Sequence, residues 1–177
     1  MKAPRIARLP LSTARLVLRP SGHEDAGQAL AILSDWQVSR MLRMANFPPE
    51  KEEVSAWFTW HKHEWAEGAA YRFTILLEGR MIGLADIDNI VGGEGVLGYW
   101  LERTAWGHGY ASEAARAVVR FAFETVGLSK VRTAHALDNV ASARVLQKLG
   151  FLPTAVFRHF SYSRREDIIQ QRYELTC

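Results

Sequence analysis

Cysteine is almost missing from this sequence of 177 residues: the only one, Cys177, is the last residue. Neither an intrachain disulfide nor a cysteine zinc site can be built from it. No apolar run approaches the length of a membrane span. The opening stretch "MKAPRIARLPLSTARL" lacks the apolar segment and small-residue cleavage site of a secretory signal. Low-complexity tracts, linkers and internal repeats are absent, as is any long Lys/Arg run, and the formal net charge is only +3. That mild excess suits an anionic ligand but leaves no footprint for direct nucleic-acid binding. His61 and His63 stand two apart, a poor pair for one helix face, so "HKH" is not a metal signature. Together the absences predict a cytoplasmic protein with no membrane and no metal.

What is present is an ordinary globular composition, 48% hydrophobic and 23% charged, in a chain long enough to bury a core without staples. One domain spanning 1–177 is expected. "TARLVLRP" alternates Arg15, Val17 and Arg19 against Leu16 and Leu18, a first strand stopped by Pro20. "SGHEDAGQALAIL" opens with a cap residue and acids and continues as a helix. In "PPEKEEVSAWFTWHKHEWAEG", Val54, Trp57, Phe58, His61 and Trp65 share one helical face, which ends at Gly68. "YRFTILLEGRMIGLADIDNI" reads as a hairpin turning at Glu78, Gly79 and Arg80, and "VLGYWLER" as a further strand. A third helix buries Ala115, Val118, Val119, Ala122 and Val126 and stops at Gly127. "KVRTAHAL" is a strand with Val131, Thr133, His135 and Leu137 on one side. "DNVASARVLQKLG" is a fourth helix, capped by Asp138 or Asn139, and two strands close the chain. This order, β-α-α-β-β-β-α-β-α-β-β, predicts an α/β (α+β) domain: a mixed, mostly antiparallel sheet with helices on both faces.

Between a strand and the third helix lies "WGHGYASEA". Strand, glycine turn and helix N-terminus together make an anion site, because the first-turn N–H groups have no intrahelical partner and the helix dipole is positive there. Gly107 and Gly109 let successive amides curl around phosphate oxygens with no Cβ in the way; Ala111 stays small and Ser112 offers a hydroxyl. A P-loop needs a lysine that does not follow here, and a dinucleotide fingerprint needs a glycine where Ser112 stands. Taken alone, the two glycines fit a plain tight turn better than an anion site.

The surrounding text narrows the choice. Trp106-Gly107-His108-Gly109-Tyr110-Ala111 resembles the pyrophosphate loop of the GNAT acyltransferases, written Q/R-x-x-G-x-G/A. Trp106 replaces the usual Gln or Arg, a departure associated with the branch resembling RimJ and RimL. "TARLVLRP", "IGLADI", "LGYWLERTAWGHGYASEA" and "DNVASARVLQKLGF" carry the resemblance from about Thr13 to Leu175. It implies the GNAT fold, with acetyl-CoA as cosubstrate and its pyrophosphate on the loop from Trp106 through Gly107, His108, Gly109, Tyr110 and Ala111 to Ser112. The pantetheine would run where the strands holding Leu97–Leu101 and Val131–Leu137 part. A backbone N–H near Tyr99 to Leu101 would face the developing oxyanion. Asn139 would hold the pantetheine and Ser142 would protonate the departing thiolate, although both residues also serve as plain helix-cap residues. Arg144 and Lys148 would meet the 3′-phosphate or else form a solvated basic face.

The resemblance also implies direct attack by a primary amine, from a protein N-terminus or a small molecule. A base or water chain must take its proton. Asp86 is the candidate: it shares a strand side with Asp88, and paired carboxylates raise a pKa and attract a cation. The alternative is that both acids face water at a sheet edge. Glu102, beside the phosphate loop, is the other acid in range. Trp36 and Met41 fall where this family forms its acceptor cleft, and Tyr99 and Trp100 border it. His108 is expected to point to solvent, and His135 to be a satisfied core histidine. Two other classes stay open, a non-catalytic acyl-CoA-binding sensor or interaction module on the same fold, and a nucleotide-binding protein. Dimers occur among similar proteins, but no residue here demands a homodimer.

Overall fold

A computed structural model describes residues 9–177, so the first half of the opening stretch lies outside the described residues. Alternation and turn chemistry define the first strands. Strand β1 (Leu11–Ser12) pairs with β2 (Leu16–Pro20), in which Leu16 and Leu18 are buried and Val17 is exposed. After a single 3₁₀ turn come α1 (Ala26–Leu33) and the short α2 (Trp36–Ser39), whose cap Asp35 accepts a hydrogen bond from Gln37 N–H at 2.9 Å. Helix α3 (Lys51–Glu67) ends at Gly68, where φ is +69°. Hairpin β3 (Tyr71–Leu77) and β4 (Arg80–Val91) turns through Glu78 and Gly79, both at positive φ, as a two-residue loop between twisted strands requires. Strand β5 (Glu94–Leu101) leads into α4 (Tyr110–Phe121), continued by a π-helical turn over Ala122–Val126. The chain finishes with β6 (Lys130–Ala136), α5 (Val140–Lys148), β7 (Leu152–Ser161) and β8 (Glu166–Thr176).

The strands form one eight-stranded sheet in the order β1-β2-β3-β4-β5-β6-β8-β7. Every neighbouring pair is antiparallel except β5 with β6. Helices cover both faces, as expected. On one, Ala114, Ala115, Val118 and Phe121 of α4 bury Leu18, Phe73, Ile75, Ile82 and Ile87, the alanines letting the helix axis lie close to the sheet. On the other, Ala29, Ile32, Leu33, Val38, Val54 and Phe58 pack on Met81, Leu84 and Trp100. Two readings need correction. Leu137 is exposed, because β6 ends at Ala136 and the chain turns away before it. The two-residue β1 and four-residue α2 went unanticipated, since neither is long enough to show a period. Among the described residues no helix is long and apolar enough to cross a membrane.

Candidate active site

The sheet is incomplete at its centre. β5 and β6 pair only through Glu94 with Lys130, Gly95 with Val131 and Val96 with Arg132. Glu102 N–H donates to Ile82 C=O at 2.8 Å, which fixes the alternation along β5. Leu97, Tyr99 and Leu101 therefore turn their backbone groups away from β4, towards the place where β6 has drawn off. Two of those carbonyls are met by side chains: Thr133 Oγ1 donates to Leu97 C=O at 2.9 Å, and Trp106 Nε1 to Leu101 C=O at 3.0 Å. The second bond gives Trp106, the residue that departs from the family pattern, a physical role: its indole pins the glycine loop to the end of β5.

The loop follows the geometry its glycines predict. Gly107 and Gly109 take φ of +79° and +81°, and Gly109 caps α4, so the first-turn amides of the helix face outward. The sequence did not reveal its brace. Arg15 lies 4.5 Å from the Tyr110 ring centroid and donates through Nη1 to His108 C=O at 2.9 Å. Glu113 accepts from Arg15 N–H and Nε, both at 2.8 Å, and from Thr13 Oγ1 at 2.6 Å. The β1–β2 turn thus holds the loop from behind, leaving the His108 side chain exposed as expected.

Across the gap, Asn139 caps α5 and its Oδ1 accepts from Ser142 N–H at 3.1 Å. Ser142 Oγ lies 2.7 Å from the Tyr99 hydroxyl. Burial pushes the Tyr99 phenol up to about 12, so it keeps its proton at neutral pH. Sequence reasoning named both residues but not the contact between them, which joins β5 to α5 where the sheet opens.

On the opposite sheet face stands a charged cluster. Asp86 is buried, not at a wet edge, and its carboxylate is bound by Arg72 Nη1. The same guanidinium reaches Asp88 at 3.3 Å and clasps Glu64 through Nε at 2.7 Å and Nη2 at 2.9 Å. Trp57 covers it, with its ring centroid 5.3 Å away. Burial pushes the Asp86 carboxyl up to about 6, with Arg72 working against that rise and Asp88 adding to it. Gly98 makes the room: a Cβ there would lie 2.5 Å from Asp86 Oδ1. The carboxylate therefore rests directly on the β5 backbone, one residue from Tyr99.

These parts share one cleft of about 1260 Å³. Its walls include Trp106, Gly107, Gly109, Tyr110, Ala111 and Ser112 from the loop, and Asn139, Ser142, Arg144 and Lys148 from α5. Asp86, Tyr99, Trp100, Leu101 and Met41 line it too. Trp36 does not; it packs against Phe47 with ring centroids 4.9 Å apart. Glu102 also stands aside, its carboxylate engaged by the exposed Arg80, whose hydrogen bonds hold it below its usual pKa. His135 is buried and satisfied, with Nδ1 2.7 Å from Ala136 C=O and Nε2 3.2 Å from the Tyr173 hydroxyl.

Comparison with known proteins agrees with this geometry. Residues 15–152 match the acetyltransferase (GNAT) domain family. An uncharacterized N-acetyltransferase, p20 of Bacillus licheniformis, is 27% identical over 158 residues, 87% of this chain and 88% of p20. The FsC-acetyl coenzyme A-N(2)-transacetylase of Aspergillus fumigatus is 29% identical over 166 residues, 85% of this chain and 68% of that enzyme. The ribosomal-protein alpha-N-acetyltransferase RimL, solved with coenzyme A, superposes with a TM-score of 0.82 at 18% identity, over 95% of this chain and 97% of RimL. The chain belongs to the GNAT acetyltransferase family, as an N-acetyltransferase whose cosubstrate is acetyl-CoA.

Proposed function

We propose that this enzyme acetylates a primary amine by direct transfer, with the cosubstrate's pantetheine in the β5/β6 opening and the amine arriving from the opposite sheet face. The observation that carries the reading is the placement of two chemistries on either side of one gap. Asp86 and Asp88 share a face with Leu84 and Trp100, whereas Tyr99 lies on the other, with Leu97, Leu101 and the Ser142 hydroxyl. Acetyl-CoA supplies an activated thioester. The amides of the Gly107–Ser112 loop hold its pyrophosphate, Arg144 and Lys148 its 3′-phosphate, and Asn139 the pantetheine. Backbone N–H groups of Tyr99 and Leu101 lie on the open edge, where a fixed donor meets charge developing on the carbonyl oxygen.

Asp86 and Asp88 draw a cationic amine towards the gap, and Asp86, raised by burial towards neutrality, takes up the proton that the amine gives away. Tyr99 donates its hydroxyl proton to Ser142 Oγ, which leaves the Ser142 proton free to pass to the departing thiolate. Met41 and Trp100 form the acceptor side of the cleft. Two of the similar proteins bracket the acceptor, one named for a ribosomal-protein N-terminus and one for an N(2) amine. The test is a calorimetric titration with acetyl-CoA, ATP and NAD, followed by transfer to a panel of free-N-terminus peptides, spermidine and lysine. Acetyl-CoA binding alone, with transfer to at least one amine, is the expected result. Tight acetyl-CoA binding with no transfer to any amine would return the chain to the non-catalytic reading.

A further inference from the structure

The wall of the cleft that carries Met41 has no regular structure of its own. Residues 41–50 form a loop between α2 and α3, and what holds it comes from far away in the chain. Tyr162 N–H in the β7–β8 turn donates to Arg43 C=O at 2.8 Å, and Ser163 Oγ donates to Leu42 C=O at 3.1 Å. Arg164, in the same turn, does more. Its Nε donates to Arg40 C=O at 2.7 Å, and its Nη1 and Nη2 each reach an oxygen of Asp138 at 2.9 Å. Arg40 Nη2 binds the same carboxylate at 2.9 Å, and Arg164 Nη2 lies 3.7 Å from Met41 Sδ. The Arg164 side chain is 9% exposed and the Asp138 side chain 46%.

Asp138 immediately precedes Asn139, the cap that sets Ser142. Arg164 is thus bonded at once to the start of the acceptor loop and to the backbone stretch that positions the thiol end of the site. A planar bidentate fork fixes both distance and orientation, which a lysine does not. Arg164 does not itself line the cleft.

We infer that Arg164 is a positioning residue, a clamp that sets the acceptor loop at a fixed height above the Asn139–Ser142 turn and so places the amine against the thioester. The inference rests on the proposed transfer reaction for its kinetic consequences and on the fold alone for its structural one. Arg164 hydrogen bonding holds the Asp138 carboxyl below its usual range, in keeping with a bond made in the folded state.

Two measurements on the full chain test it. In Arg164→Met, amide hydrogen exchange across residues 40–47 should quicken in the free protein, while α4 and β3 keep their protection. With a free-N-terminus peptide and spermidine as probes, kcat/KM for the amine should fall about tenfold or more, while the acetyl-CoA Kd stays within about twofold, as expected when a reactant is misplaced by about an ångström. Arg164→Lys should recover only part of the loss, and Asp138→Asn should combine with Arg164→Met less than additively, the remaining Arg40–Asp138 pair accounting for any further loss. Should Arg164→Met fail to fold, Asp138→Asn, which leaves the bond to Arg40 C=O intact, carries the same exchange measurement. Unchanged exchange over residues 40–47, or acetyl-CoA affinity and amine kcat/KM failing together, would overturn the clamp. If the wild type acetylates neither probe, the transfer reading fails on its own account, and the exchange result still decides the clamp.

Discussion

The two walls of the cleft are built in opposite ways. The cosubstrate side is backbone: an unpaired strand edge, a glycine loop at two positive φ angles and the first turns of α4 and α5. The acceptor side is side chains: a carboxylate cluster around Arg72 and a loop without regular structure, clasped by Arg164. Backbone amides recognise phosphate and peptide-like groups whatever side chains surround them, so the first wall needs little beyond small residues at fixed spacing. Charged side chains discriminate by position and pKa, so on the proposed reading the second wall is where substrate choice is set. On that proposed reading, affinity for the cosubstrate and choice of acceptor are separable in this molecule.

Substitutions at the proton-carrying pair of the cosubstrate wall should have the largest effect. Ser142→Ala should lower kcat by about 10²–10⁴-fold, the range for a group that transfers a proton in the transition state. Tyr99→Phe removes one hydrogen bond and should cost about tenfold. The double variant should be no slower than Ser142→Ala, because the phenol acts through the serine. Steady-state kinetics on the four proteins would check this; equal and additive losses would separate the two hydroxyls.

In the glycine loop of the same wall, Gly109→Val should weaken acetyl-CoA binding by about tenfold, equivalent to about 1.4 kcal/mol. A β-branched residue at φ +81° is strained, and any relaxation turns the cap amides away from the phosphate. Calorimetry should show Kd moving while KM for the amine does not.

On the acceptor wall the effect depends on pH and is smallest below about 6, where Asp86 is already protonated. As the proposed base Asp86 would act as an anion, so kcat/KM should rise with pH through about 6, and Asp86→Asn should flatten that limb. A carboxyl raised from 3.8 to about 6 by burial also favours folding when protonated. Its share of stability is complete below 3.8 and is lost as pH rises through about 6, so the Tm difference between the wild type and Asp86→Asn should move in the variant's favour over that interval. A pH profile and a melting series from about pH 4 to about pH 8 would read both signs.

How much of this was legible follows the same division. The glycine loop, the Asn139 cap and the hairpin turns are local, written within a few consecutive residues, and all appear where the sequence placed them. Asp86 was legible as an acid on an apolar strand, but its partner was not: nothing in "AYRF" announces that Arg72 will sit under Trp57 between three carboxylates. Trp36 was assigned to the cleft by its place in the chain, and a neighbour eleven positions on, Phe47, took it instead. The clamp was beyond reach, since Arg40 and Asp138 are 98 positions apart and meet only when the sheet is assembled. Contacts of that separation are properties of topology rather than of text.

The unpaired edge inside the sheet carries one last consequence. Most proteins finish their hydrogen-bond ladders with their own chain, whereas here the central rungs between β5 and β6 are left for a visitor. A ligand that supplies them stabilises the native state in proportion to its own concentration, about 2.7 kcal/mol when present at a hundred times its Kd. With acetyl-CoA as the proposed visitor, the stability of the folded enzyme is tied to the supply of the molecule it consumes, and a starved enzyme is also a softer one.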